Sequence, residues 1–239
     1  MIESLIERLC APLLRRLGYE LRRRRTREIG FHADYLRQLC TPSTVIDVGV
    51  GEGTNALYRA WPDAQLVLVE PLPQFRAAMA RIAARHRCRL VHKAVGAEPG
   101  TLTLNVDPLN PQMSSFHART ELTRTGNPIE PLSVDVTTLD AIAGDGPPLS
   151  APILLKIDTE GHELEVLRGA TELLPRVDWV IAEVSIAPRF AGGYAFEDLL
   201  GFLRGQGFGL FAILSSFQGG ELGQRFADCL FKRSDLADP

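Results

Sequence analysis

Beginning at Thr44, short apolar runs alternate with stretches of helical character, and that alternation leaves the chain few architectures. "TVIDVG" (44–49) is a β-branched run leading into glycines, and "NALYRAW" (55–61) follows it with helical character. "QLVLVEP" (65–71), "PQFRAAMARIAARH" (73–86) and "CRLVHKAVG" (88–96) continue as strand, helix and strand. Further on, "ILLKID" (153–158), "ELEVLRGATELL" (163–174), "VDWVIAEV" (177–184) and "FEDLLGFLRGQG" (196–207) repeat the pattern. Parallel neighbours need long crossovers, so strands separated by helices imply an α/β fold with a doubly wound, mostly parallel sheet. "FGLFAIL" (208–214) and "RFADCLFKR" (225–233) have no helix between them and read as an antiparallel pair at one sheet edge.

The remaining segments are less regular. "TLTLNV" (101–106) reads as an edge strand and "LSVDVTTLDAI" (132–142) as a strand running into a helix. Between them, residues 107–131 are rich in Pro, Ser, Thr and Asn, and an irregular segment of that length inside a domain is usually functional or mobile. Upstream, Leu5, Ile6, Leu9, Leu13, Leu14 and Leu17 recur at helical spacing, and the basic run "RRRRTR" (22–27) follows. The expected organisation is an N-terminal helical extension over 1–40 and one α/β domain over 41–239.

At 239 residues and 45% hydrophobic, the chain can bury one substantial core. A net charge of −3 gives no overall attraction to nucleic acid or anionic lipid, so function must be sought in a site. Cys10, Cys40, Cys88 and Cys229 form no C-x-x-C pair and read as reduced thiols in a cytoplasmic protein. The first residues lack the continuous apolar region of a signal peptide, and no stretch reaches the roughly 20 apolar residues of a membrane span.

"DVGVGEGTNA" (47–56) joins strand to helix with glycines at 49, 51 and 53, a turn that lets a ligand approach the backbone closely. Glu70 ends the next strand, near the spacing at which an acid takes ribose hydroxyls, so an adenosine-type cofactor is expected. The glycines also fit a dinucleotide fingerprint, which would make the chain a nicotinamide-dependent oxidoreductase. Asp47 and Glu52, however, would repel a pyrophosphate and favour a cation, which selects S-adenosylmethionine with its ammonium and sulfonium.

"LLKIDTEGHELEVL" (154–167) carries Lys156, Asp158, Glu160, His162, Glu163 and Glu165 where an apolar strand ends. In open parallel sheets ligands sit beyond the carboxyl ends of strands, so these acids belong to the rim of a cleft. Asp158 or Glu160 can act as general base on an acceptor hydroxyl, as can His162. Alternatively, Asp158 with Glu183 can hold Mg²⁺. Lys156 can keep Asp158 ionised or neutralise a substrate anion. Glu163 and Glu165 favour the helix dipole whatever the function.

The stretch "LLKIDTEGHELEVLRGA" (154–170) closely resembles the signature of the FkbM family of S-adenosylmethionine-dependent methyltransferases. "VIDVGVGEG" (45–53), "LVEPLPQF" (68–75), "KAVG" (93–96), "SSF" (114–116), "VDVTTLD" (134–140) and "IAEV" (181–184) follow in that family's order. Two departures stand out: Val50, Gly51 and Glu52 replace the usual A-N-x of the first motif, and Lys93 stands where an asparagine often precedes A-V. The resemblance implies a class I, Rossmann-like methyltransferase fold that methylates hydroxyls of sugars or natural products. It places the cofactor at Asp47, Gly49, Gly51 and Glu70, with Ala94 and Val95 assisting; Glu52 and Pro71 belong to the same loops. Ser114 and Ser115, in the irregular segment, are expected to close over an acceptor, and Phe190 and Tyr194 to line its pocket. No nucleic acid is expected as partner. The rival is a non-catalytic module presenting residues 22–27 to RNA or anionic lipid.

Overall fold

A computed structural model describes residues 30–218 and 224–235, so the N-terminal amphipathic stretch and the basic run at 22–27 lie outside the described residues. Twelve strands and six α-helices follow one another among the described residues. Strands β1 (Thr44–Val48), β2 (Gln65–Val69) and β3 (Cys88–Val91) alternate with helices α2 (Asn55–Ala60) and α3 (Arg76–Ala83), while α1 (Ala33–Leu39) precedes them. β4 (Ala94–Val95), β5 (Gly100–Val106), β6 (Ala118–Arg119), β7 (Glu130–Thr137) and α4 (Leu139–Gly144) come next. β8 (Ile153–Ile157), α5 (Glu163–Arg168), β9 (Trp179–Ser185), β10 (Phe190–Ala191), α6 (Phe196–Gly205), β11 (Phe208–Gln218) and β12 (Gln224–Arg233) complete the order.

The central sheet runs β11-β12-β9-β8-β1-β2-β3. β3, β2, β1, β8 and β9 pair in parallel, whereas β12 is antiparallel to both β9 and β11. The expected antiparallel edge pair is therefore present, with the last strand inserted between its partner and the parallel set. Counting only the strands of this sheet in chain order, the arrangement is 3-2-1-4-5-7-6, that of class I methyltransferases.

Every residue of β1, β2, β8 and β9 is buried, which is why these strands read as unbroken apolar runs. On one face Ile46, Leu155 and Val180 pack against Leu139 of α4, Val166 of α5 and Leu203 of α6. On the other, Val45, Leu66 and Leu154 pack against Leu36 of α1, Leu57 of α2 and Met79 of α3.

Three boundaries differ from the sequence reading. The run 88–96 is two strands: β3 continues the central sheet, while Ala94 and Val95 pair with β7 in a three-stranded sheet ordered β4-β7-β5. β5 is thus an edge of this small sheet, and β7 its centre. Helix 163–174 stops at Arg168 because Gly169 ends it, and a 3-10 turn at Leu174–Arg176 takes over. Helix 73–86 is a 3-10 turn at Pro73–Phe75 followed by α3.

Candidate active site

Two loops at the carboxyl end of the central sheet meet here, and glycine permits the meeting. Gly49 follows β1 with φ of 77°, and a Cβ there would fall 1.8 Å from the carbonyl oxygen of Asp158, which follows β8. Gly51 also has positive φ, 52°, and its amide donates to Glu70 Oε2 at 3.0 Å. The Leu72 amide donates to Glu70 Oε1 at 2.9 Å. Burial pushes the Glu70 carboxyl upward, and the two amides and Lys156 pull it back.

Lys156 lies beneath the glycine turn. Its ammonium donates to the Gly49 carbonyl at 2.9 Å and pairs with Asp47 Oδ1 at 3.1 Å and Asp158 Oδ2 at 3.5 Å. Burial opposes the charge, but the Asp47 and Asp158 carboxylates outweigh it and raise the lysine above its usual value. A lysine so held stays cationic, which makes it an electrostatic pin and rules out a proton-accepting role. Asp47, expected to face a ligand, is fully buried; it takes the Tyr58 hydroxyl at 2.6 Å and supports the turn from behind through Lys156.

The turn after β8 is buckled by its own helix. Glu163, fully buried, accepts from the amides of Thr159 at 2.8 Å and Gly161 at 3.1 Å, and from the Thr159 hydroxyl at 3.2 Å. Burial raises the Glu163 carboxyl, with these donors opposing. The result holds Glu160 at φ of 52°, a left-handed conformation unusual for a side-chain-bearing residue and one that aims it into the cleft.

There Glu160 meets Arg189, which the sequence reading did not single out. One guanidinium nitrogen pairs with Glu160 and the other with Glu183 Oε1 at 2.6 Å. Arg189 also lies over the Phe226 ring, 4.3 Å from its centroid. Burial pushes Glu160 up to about 7, with Arg189 opposing and Asp158 adding to the rise. Glu183 is raised by burial and by the same acids, again with Arg189 opposing.

Asp158, Glu160 and Glu183 place carboxylate oxygens within 4.8 Å of one another, as a metal site would. The Arg189 guanidinium, however, takes the cation's part for two of the three, so this donor set fits an arginine and does not fit Mg²⁺.

The cleft itself is a cavity of about 440 Å³. Gly49, Gly51, Glu52, Glu70, Pro71, Ala94, Val95, Ser114, Lys156, Asp158 and Glu160 all line it, so the sequence-predicted residues largely converge. Glu52 is exposed, 3.3 Å from Arg81. Leu72, Phe75, Leu104 and Phe116 add an apolar wall that the sequence reading missed, since single hydrophobic residues in loops carry no periodic signal.

Five expected site residues lie elsewhere. His162 is buried beside the Phe116 ring with Nδ1 3.3 Å from His117 Nε2, and burial and His117 push it down to about 4. It is a neutral packing residue and not the base. Ser115 is buried and donates to the Glu160 carbonyl at 2.6 Å, which makes it a tie between the irregular segment and the acidic turn. Glu183 reaches the cleft only through Arg189. Phe190 packs against Gly161, where a Cβ would meet its ring at 2.5 Å, and Tyr194 turns its hydroxyl to the Ser185 amide at 3.4 Å.

The irregular segment is ordered by one buried acid. Asp107 accepts from the amides of Leu109 and Asn110, from Thr125 and from the Asn127 side chain, at 3.0 to 3.2 Å. β6 then pairs with β10, and Thr120 and Thr123 donate to the Arg189 carbonyl at 3.0 and 2.6 Å. The segment is thereby laid across the cleft, with Gln112, Ser114 and Phe116 in the cavity wall.

The fold is thus that of a class I methyltransferase, with its cavity at the carboxyl ends of the strands. Residues 47–210 match the Methyltransferase FkbM domain, and the chain belongs to the FkbM methyltransferase family. Methyltransferase 1 of Beauveria bassiana is 29% identical over 160 residues, 59% of this chain and 64% of the relative's length. Hexuronic acid methyltransferase AglP of Haloferax volcanii is 43% identical over 51 residues, 20% of this chain and 21% of that protein. Among solved structures, SMU.1697c from Streptococcus mutans in complex with SAH aligns with a TM-score of 0.43 at 12% identity, covering 84% of this chain and 94% of that one.

Proposed function

We propose that this chain is an S-adenosylmethionine-dependent O-methyltransferase whose acceptor is a hydroxyl of a sugar or a small natural product. One observation carries the reading: a single cavity runs from the glycine turn and Glu70 to the Asp158 and Glu160 carboxylates. Four acids line it, Glu52, Glu70, Asp158 and Glu160, and its lysine is neutralised from behind, so it suits a cationic donor better than a diphosphate. Family membership favours the same donor, and the short match to a hexuronic acid methyltransferase favours a sugar-type acceptor.

In this reading Glu70 holds ribose hydroxyls, the Leu72, Phe75 and Leu104 wall takes the adenine, and the glycine turn takes the methionine end. Bound there, S-adenosylmethionine supplies an electrophilic methyl group on sulfur. The acceptor hydroxyl is oriented by Asp158, and its proton passes to Asp158 or Glu160 as the oxygen attacks. Lys156 keeps Asp158 anionic, while Arg189 fixes the Glu160 carboxylate in place and leaves its proton affinity near neutrality, where a base is most useful. Isothermal titration with S-adenosylhomocysteine tests the reading: saturable binding is expected, and no heat at high micromolar ligand refutes it.

A further inference from the structure

The wall over the active-site cavity has a second face. Along β5 and the extended segment beside it, alternate side chains point to opposite sides: Leu104, Ser114 and Phe116 line the cavity already described, while Asn105, Ser115 and His117 line another. Asn105 and Ser115 exchange backbone hydrogen bonds at 2.9 and 3.2 Å, which holds the two segments together as one thin partition. The second cavity, about 530 Å³, is closed on its far side by Arg119, Arg124 and Asn127.

Its charge is opposite to that of its neighbour. No carboxylate lines it, whereas Arg119, Arg124 and His117 do. Arg119 is half-buried and donates to the Met113 and Thr123 carbonyls, neutral acceptors that fix the guanidinium without cancelling its charge. Arg124 is exposed and pairs only with Glu121 at 2.9 Å, a solvent-screened contact that a ligand can displace. The two cavities meet at Glu160: its carboxylate is in the first, and its carbonyl accepts from Ser115, which lines the second.

We propose that this second cavity is the acceptor's anion subsite, taking a carboxylate or phosphate on a sugar-like substrate whose hydroxyl is presented to Asp158 and Glu160. The inference rests on the methyl-transfer reading above and narrows its acceptor to acidic sugars. An arginine fork matches either oxyanion bidentately, and the neighbouring amide and hydroxyl groups suit a polyol.

The test is a titration of the full chain saturated with S-adenosylhomocysteine, using glucuronate, glucose 6-phosphate and glucose as probes. At least one acidic sugar is expected to bind about tenfold or more tighter than glucose, and the stronger of the two identifies the oxyanion. Arg124→Gln should remove much of that advantage and Arg119→Gln/Arg124→Gln all of it. Because Arg119 also ties two carbonyls, homocysteine-product affinity on the same samples reports whether the variants remain folded. Equal binding of acidic and neutral sugars, no binding of any, or an advantage that survives the double variant overturns the proposal. Failure of the product itself to bind overturns the methyltransferase reading instead, and the sugar preference is then read on the unliganded chain.

Discussion

Gly49 and Asp158 are in contact through backbone alone: a methyl group on Gly49 would fall 1.8 Å from the Asp158 carbonyl oxygen. The donor turn and the acidic turn are thus packed to the limit that only glycine permits. Gly49→Ala adds both this clash and the strain of a positive φ, and should cost about 2 to 4 kcal/mol. Chemical denaturation measures it; a loss under about 0.5 kcal/mol would show that the two turns part easily.

Asp158 lines the cavity, is 36% exposed at its side chain and is held by Lys156. Asp158→Asn should lower turnover about 100-fold or more while leaving S-adenosylhomocysteine affinity within a few-fold. Activity surviving within tenfold would remove Asp158 from the chemistry.

Glu160, pushed up to about 7, is protonated below that pH and available as a proton acceptor above it. Turnover should therefore rise as pH passes through this region, and Glu160→Gln should flatten that limb. An unchanged profile in the variant would place the titration elsewhere.

Arg189 is the shared cation of two buried acids, so removing it leaves both unmatched. Arg189→Met should destabilise the fold by about 3 to 5 kcal/mol, and adding Glu183→Gln should restore part of the loss. Additive losses in the double variant would show that the pair is not coupled.

His162 stays neutral in the fold down to about 4, whereas an unfolded histidine protonates near 6.5. Between these values the unfolded chain binds the extra proton, so stability is complete above pH 6.5 and declines as pH falls toward 4, by up to about 3 kcal/mol. His162→Gln should shallow that decline in melts taken across the window; an unaltered slope would assign it to other groups.

The legible part of this protein was the part governed by periodicity. Strands buried on both faces, glycines at a strand end and an acid closing the next strand are local signals, and they placed Gly49, Gly51, Glu70 and Asp158 around one cavity. What stayed hidden depends on where side chains turn in three dimensions. Asp47 directly precedes the glycine turn, yet strand geometry points it at Tyr58 and Lys156. Arg189 sits in an unremarkable "APRF" stretch, and only the pairing of β6 with β10 brings it to Glu160. The same limit applies to Ser115 and His162, whose neighbours come from segments far along the chain.

The hold of Thr120 and Thr123 on the Arg189 carbonyl makes the roof of the cleft and its acid cluster parts of one linkage. Displacing the roof drags the arginine's backbone, and with it the guanidinium that two carboxylates share. Entry and exit of ligands are in this way geared to the ionic balance of the catalytic floor: a raised roof loosens the grip on Glu160, and a lowered one restores it.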